Sequence, residues 1–229
     1  MAVICREHRL LFIMAPRTGC TAVAEVLRAE LGGEDIPAAD DPAALRAGVP
    51  VKHATLGQLL AIGAVSRRES AGLFAFSAVR NPYDSIVSLY VKQASGYRGL
   101  EGYGDDFIER SAQRRQSVRS AQQHNFEDWL VANYEKPLRR RLSRKLRSLR
   151  GGGNKWLEGV DFVMRYEHLQ EDFDKALRRA GIDRRLTIPR VNVTPDRERD
   201  FRLYYTDRAR QIVEDWYKRE LLRFGYTFD

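Results

Sequence analysis

Cysteine is scarce: Cys5 and Cys20 are the only two in 229 residues. Two thiols cannot build a disulfide framework, and Cys20 falls in a candidate functional loop, so a reducing cytoplasm is the expected setting. Histidine is limited to His8, His53, His124 and His168, and neither CxxC nor HExxH occurs, so no metal centre is expected. Long apolar runs are missing too. Leu10–Met14 is too short for a membrane span or for the core of a secretory leader. No repeat of solenoid period is present. Acidic residues number 31 against 39 basic ones, and the net charge of +8 points to anionic partners. With 43% hydrophobic residues, the chain suffices for one α/β core, expected as a single domain over residues 1–229.

Residues 10–22, LLFIMAPRTGCTA, read as an apolar strand, a turn and the start of a helix. The first amides of a helix lack internal partners, and the helix dipole adds to their pull on an anion. Gly19 allows close approach, Arg17 adds a permanent cation, and Thr18 and Thr21 add hydroxyls. The Gly-Lys-Ser/Thr ending that serves magnesium nucleotides is replaced by Gly19-Cys20-Thr21. By itself such a turn could equally be a plain connection.

A second strand-to-helix passage spans residues 73–90, LFAFSAVRNPYDSIVSLY, with Arg80 at the strand's carboxyl end and a helix opening near Tyr83. Parallel strands share a carboxyl edge, so Arg80 and the Arg17 loop are expected to face one crevice. Ser88, eight positions on, falls near the helix face of Arg80 and Asp84. A salt bridge from Arg80 to Asp84 and a packing role for Ser88 are the alternatives. Taken together, the passages suit a ligand with two separated anionic groups.

On these segments the chain resembles sulfotransferases that use 3'-phosphoadenosine 5'-phosphosulfate (PAPS). Pro16-Arg17-Thr18-Gly19-Cys20-Thr21-Ala22 is similar to the family's 5'-phosphosulfate loop, and Arg80-Asn81-Pro82-Tyr83-Asp84 with Ser88 to its 3'-phosphate signature. The likeness extends to Val160–Leu177 and to a closing helix ending in Phe224-Gly225-Tyr226, and is loose over residues 94–158. It implies a three-layer, P-loop-like α/β fold with a central, mostly parallel sheet. It also implies metal-free transfer of a sulfuryl group from PAPS to a hydroxyl of a glycan or small metabolite, leaving adenosine 3',5'-bisphosphate. Arg17, Thr18, Gly19, Cys20, Thr21, Ala22, Arg80 and Ser88 become cofactor contacts. Thr194 and Arg197 join them because residues 191–199 resemble the family's lid over the 3'-phosphate. Many members carry Lys at the position of Arg17. Arg keeps the charge but does not give up a proton, so Arg17 is read as a stabiliser of the departing phosphate.

An alcohol acceptor needs a base. His53 follows an extended run, Val49–Lys52, and precedes a helix near Thr55; some glycan sulfotransferases carry a His base between the two nucleotide motifs, and others a Glu. His53 and Arg17 are therefore the candidate catalytic pair. His168 reads as structural, His124 as a cap on the helix that follows, and His8 as a strand flank.

Residues 138–150, LRRRLSRKLRSLR, carry seven Lys and Arg around a Leu stripe at 138, 142, 146 and 149. Such a helix either exposes a solvated basic face or recruits an anionic partner, and the latter supports an alternative, an anionic-polymer or nucleic-acid binding protein. Residues 94–123, polar and weakly periodic, are expected to include a mobile loop over the acceptor.

Overall fold

A computed structural model describes residues 2–98, 108, 111–135, 154–189 and 197–229. The chain forms two compact units, Met1–Arg80 with Gly153–Val191, and Asn81–Gly152 with Asn192–Asp229.

The first unit is built on a five-stranded sheet of order β3-β1-β2-β4-β5. Strands β1 (Ala2–Cys5) and β2 (Leu10–Ile13) form an antiparallel hairpin, and β3 (Glu34–Ile36) adds to β1 antiparallel. On the other side β4 (Phe74–Val79) runs parallel to β2, and β5 (Phe162–Arg165) parallel to β4. β1 and β2 lack apolar-polar alternation because both faces are covered. Val3, Cys5, Leu10 and Phe12 pack with residues of α1 (Cys20–Leu31) and α8 (Leu169–Arg179), whereas Ala2, Ile4, Leu11 and Ile13 pack with Leu56 and Leu59 of α3 (Leu56–Ala61). In α8 the buried Phe173, Ala176 and Leu177 recur at helical spacing. The short helices α2 (Pro42–Ala47) and α4 (Arg67–Ser70) lie in the connections. The fold is α/β with helices on both faces of a mixed sheet, parallel through β2, β4 and β5, as the resemblance implies.

The second unit is helical: α5 (Pro82–Ala94), α6 (Ala112–Gln123), α7 (Phe126–Tyr134) and α9 (Asp207–Phe224). Its core is aromatic, with Tyr83, Phe126 and Trp129 among Ile86, Val87, Leu130 and Val213. Ile212 and Tyr217 pack on this core, and Trp216 meets Tyr134 edge-on at 5.0 Å. Helix α6 lies where the sequence suggests a polar loop. Its Ala, Arg and Gln residues favour helix, and only Val118 and Ala121 are buried, too few to produce a visible apolar period. Among the described residues no helix is long and apolar enough to cross a membrane. The basic stretch 138–150 lies outside the described residues.

Candidate functional site

The site grows from the carboxyl end of β2. After Ile13 the chain stays buried through Met14 and Ala15, then turns through Pro16 and the half-buried Arg17, whose φ is 65°. The Thr18 hydroxyl donates to Ala15 O at 2.9 Å, so it braces the turn from inside. Gly19, at φ 71°, is the N-cap of α1, which has no side-chain cap and no acidic residue in its first turn. The helical ladder opens with Val23 N–H donating to Gly19 O at 3.3 Å. Cys20, Thr21 and Ala22 form the first turn, with Cys20 and Ala22 buried. The N-terminal end of α1 therefore keeps its positive dipole unanswered by any protein carboxylate of its own first turn.

Glycine at position 19 has two causes. Its left-handed backbone disfavours a side chain, and a Cβ would stand 2.8 Å from Leu169 Cδ2 and 3.3 Å from the Tyr166 ring. Tyr166 in turn lies under Arg80, whose guanidinium carbon is 4.1 Å from the ring centroid. Arg80 Nη1 donates to Arg17 O at 3.1 Å. Three neighbouring strands deliver these groups: the Arg17 turn follows β2, Arg80 follows β4 and Tyr166 follows β5. The Ser77 hydroxyl, donating to Ile13 O at 2.8 Å, ties β4 to β2 just before both strands end. Tyr166 escaped the sequence reading, although its place directly after a parallel strand was a usable signal.

His53 sits in a turn rather than at the end of an extended run, with φ 70°. A left-handed backbone at a non-glycine residue costs about 1–2 kcal/mol and persists only where its surroundings impose it. Two contacts impose it here. His53 Nδ1 lies 2.8 Å from Met14 O, and the Trp156 indole Nε1–H donates to His53 O at 2.7 Å. A carbonyl only accepts, so Nδ1 carries the hydrogen and Nε2 presents a lone pair. Burial, reinforced by the charges of Lys52 and Arg17 and opposed by the Met14 carbonyl, pushes the imidazole pKa down to about 4. His53 is thus neutral at pH 7, a proton acceptor at Nε2. Thr55 then starts α3 with a capping box closed by Gln58.

The other histidines stand elsewhere. His8 lies in the β1–β2 turn, and His168 ends a short 3₁₀ turn, 3.9 Å from the Glu171 carboxylate. His124 does not cap α7: Asn125 does, accepting from Asp128 N–H at 2.9 Å, while His124 Nδ1 contacts Ser120 O at 2.8 Å. The shorter Asn side chain reaches the helix amide directly, as its strong N-cap preference anticipates.

The second unit holds the remaining sequence candidates. Asn81 caps α5 by accepting from Tyr83 N–H at 3.0 Å, Pro82 occupies the first turn, and Asp84 adds a carboxylate there. Asp84 pairs with Arg197. Arg197 Nε is buried without a hydrogen-bond partner. Ser88 is 2% exposed on the buried face of α5. Thr194 lies outside the described residues.

The family model described as "Sulfotransferase family" matches residues 1–227, and the chain therefore belongs to that family. Neither a curated protein nor a solved structure matches the chain.

Proposed function

We propose, with sulfotransferase membership as premise, that PAPS is the sulfuryl donor and that the acceptor is a hydroxyl of a glycan or small metabolite. One observation supports the donor above all: directly after Arg17, α1 opens with no side-chain cap and no acid in its first turn, which leaves its helix dipole for an anion. When bound, the phosphosulfate supplies the group to be transferred. Arg17 and the amides at Gly19, Cys20, Thr21 and Ala22 hold the 5' end and balance the charge that grows on the departing phosphate. Thr18 keeps the turn in shape. Arg80 and Ser88 are assigned to the 3'-phosphate by their place in the signature, and Thr194 and Arg197 by theirs in the lid.

His53 takes the proton of the acceptor hydroxyl at Nε2. A pKa near 4 makes it a weak base before the nucleotide arrives. The negative charge of a bound nucleotide counters Lys52 and Arg17 and draws that pKa upward. The hydroxyl meanwhile becomes acidic as its oxygen bonds to sulfur, so transfer to a weak base proceeds late in the step.

Calorimetry without magnesium tests the assignment. Adenosine 3',5'-bisphosphate binds the wild-type protein tightly, and Arg80→Ala removes the heat of binding. An absence of binding by the wild-type protein at low salt overturns the proposal. Radiolabelled PAPS offered with a panel of hydroxylated acceptors then identifies the acceptor class.

A further inference from the structure

Trp156 has no place in the scheme so far, yet its indole makes one of the shortest contacts at the site. It belongs to a 3₁₀ turn, Lys155–Leu157, which Asn154 opens by accepting from Trp156 N–H at 3.2 Å. The turn sets the indole edge against the loop before α3, where Nε1–H donates to His53 O at 2.7 Å. The Lys155 ammonium lies 4.8 Å from the Trp156 ring centroid, holding the indole from its face. The same indole packs on the apolar cluster of Ala54, Leu56 and Leu59.

The backbone of His53 is the point of leverage. At φ 70° it lies in the left-handed region, which non-glycine residues visit uncommonly. The side chain leaves the backbone in a direction set by φ, and in this conformation Nδ1 comes to 2.8 Å from Met14 O. The two contacts cooperate: the indole fixes the carbonyl side of the residue, and the Met14 carbonyl fixes the ring and its tautomer. Neutral imidazole in water favours the hydrogen on the other nitrogen, so the observed arrangement has to be imposed.

We infer that Trp156 is the positioning residue of the base: its indole N–H holds His53 in the left-handed conformation that keeps the hydrogen on Nδ1 and the accepting lone pair on Nε2. The inference rests on the reading of His53 as base. Lys52 on the same loop, the amino-terminal charge and Arg17 from the β2–α1 turn act on the imidazole, and none of them is altered by changing Trp156.

Nitrogen-15 NMR of the histidine rings in the full chain tests it, with His53 assigned by comparison with His53→Gln. In the wild-type protein His53 is in the Nδ1–H form and stays neutral down to a midpoint near 4. In Trp156→Phe the ring shifts to the Nε2–H form, and its midpoint climbs toward the usual 6.5. Replacing Trp156 by benzothienylalanine keeps the shape and removes only the N–H, and it gives the same change where the Phe variant fails to fold. An unchanged tautomer and midpoint in the benzothienyl protein overturn the inference. Turnover of His53→Gln separates the two readings. A rate equal to wild type defeats the reading of His53 as base, whereas a lowered rate together with an unmoved His53 in the benzothienyl protein defeats the role of Trp156 alone.

Discussion

Two strand-to-helix passages, β2 to α1 and β4 to α5, look alike in sequence and are finished differently. Helix α5 closes its own N-terminus: Asn81 caps it, Pro82 removes one unpaired amide, and Asp84 answers the dipole. Helix α1 has a left-handed glycine for a cap, no capping side chain and no acid in its first turn. A helix end that the protein's own side chains have already satisfied has little left for a phosphate. One that they have not satisfied attracts an anion. Of the two helix ends, that of α1 is the one left without a side-chain cap or a first-turn acid, and Arg80, the residue just ahead of α5, braces the α1 loop through the Arg17 carbonyl.

The comparison can be broken by experiment, beginning with the largest effect. His53→Ala lowers kcat by about 10²–10⁴-fold while the KM for PAPS stays nearly constant, since a base acts in the chemical step and not in nucleotide binding. The measurement is steady-state kinetics with an acceptor from the panel screen, and a rate within twofold of wild type removes His53 from the mechanism. Arg17→Ala follows, with a loss of about 10²–10³-fold in kcat, the usual range for removing one stabiliser of developing charge. An equal loss from Lys substitution at position 17 would mean that the bidentate fork matters more than the charge.

Backbone changes come next. Gly19→Ala forces a side chain into a left-handed position 2.8 Å from Leu169, and it lowers stability by about 1–3 kcal/mol in urea denaturation. It also weakens bisphosphate binding, because the loop must move. Asn81→Ala costs about 1 kcal/mol as a lost cap and leaves bisphosphate affinity unchanged within error. Should Asn81→Ala instead abolish binding, the N-terminus of α5 is part of the seat and the contrast drawn above is wrong.

A further test concerns pH. His53 holds its proton with a pKa near 4 when folded, against 6.5 in the unfolded chain. Between those values the unfolded chain binds more protons, so folding stability rises with pH there. Wild type therefore loses stability relative to His53→Gln as pH falls from about 6.5 to 4, and the gap is constant below 4. Denaturation curves for the pair across that range measure the difference.

Much of the β2–α1 loop was legible because it obeys local rules. A fully apolar run, a proline, a glycine and a helical pattern follow one another at positions 10–27, and each signals its element within a few residues. Arg80 was legible for a topological reason, since parallel neighbours end on one edge. His53 was a candidate from its place between an extended run and a helix start, and the resemblance strengthened it. Nothing in Val49–Thr55 announces a left-handed histidine, because φ there is set by Met14, thirty-nine residues away, and by Trp156, further still. Tyr166 and Trp156 were passed over for the same reason. An aromatic residue in a strand flank or a short turn usually means packing, and only the partner reveals otherwise. Helix α6 was missed because its apolar face is two residues wide.

By itself, then, the sequence determined the α/β class, the strand-turn-helix passage of residues 10–22 and the edge on which Arg80 ends, since these follow from local periodicity, turn chemistry and strand direction. The tertiary structure decided which nitrogen of His53 carries the hydrogen and which aromatic side chains meet Arg80 and the His53 carbonyl. Those properties depend on hydrogen bonds and ring contacts between segments 39 to more than 100 residues apart, as from His53 to Met14 and from Trp156 to His53. No local pattern encodes the distance between such groups, so only folding could set it.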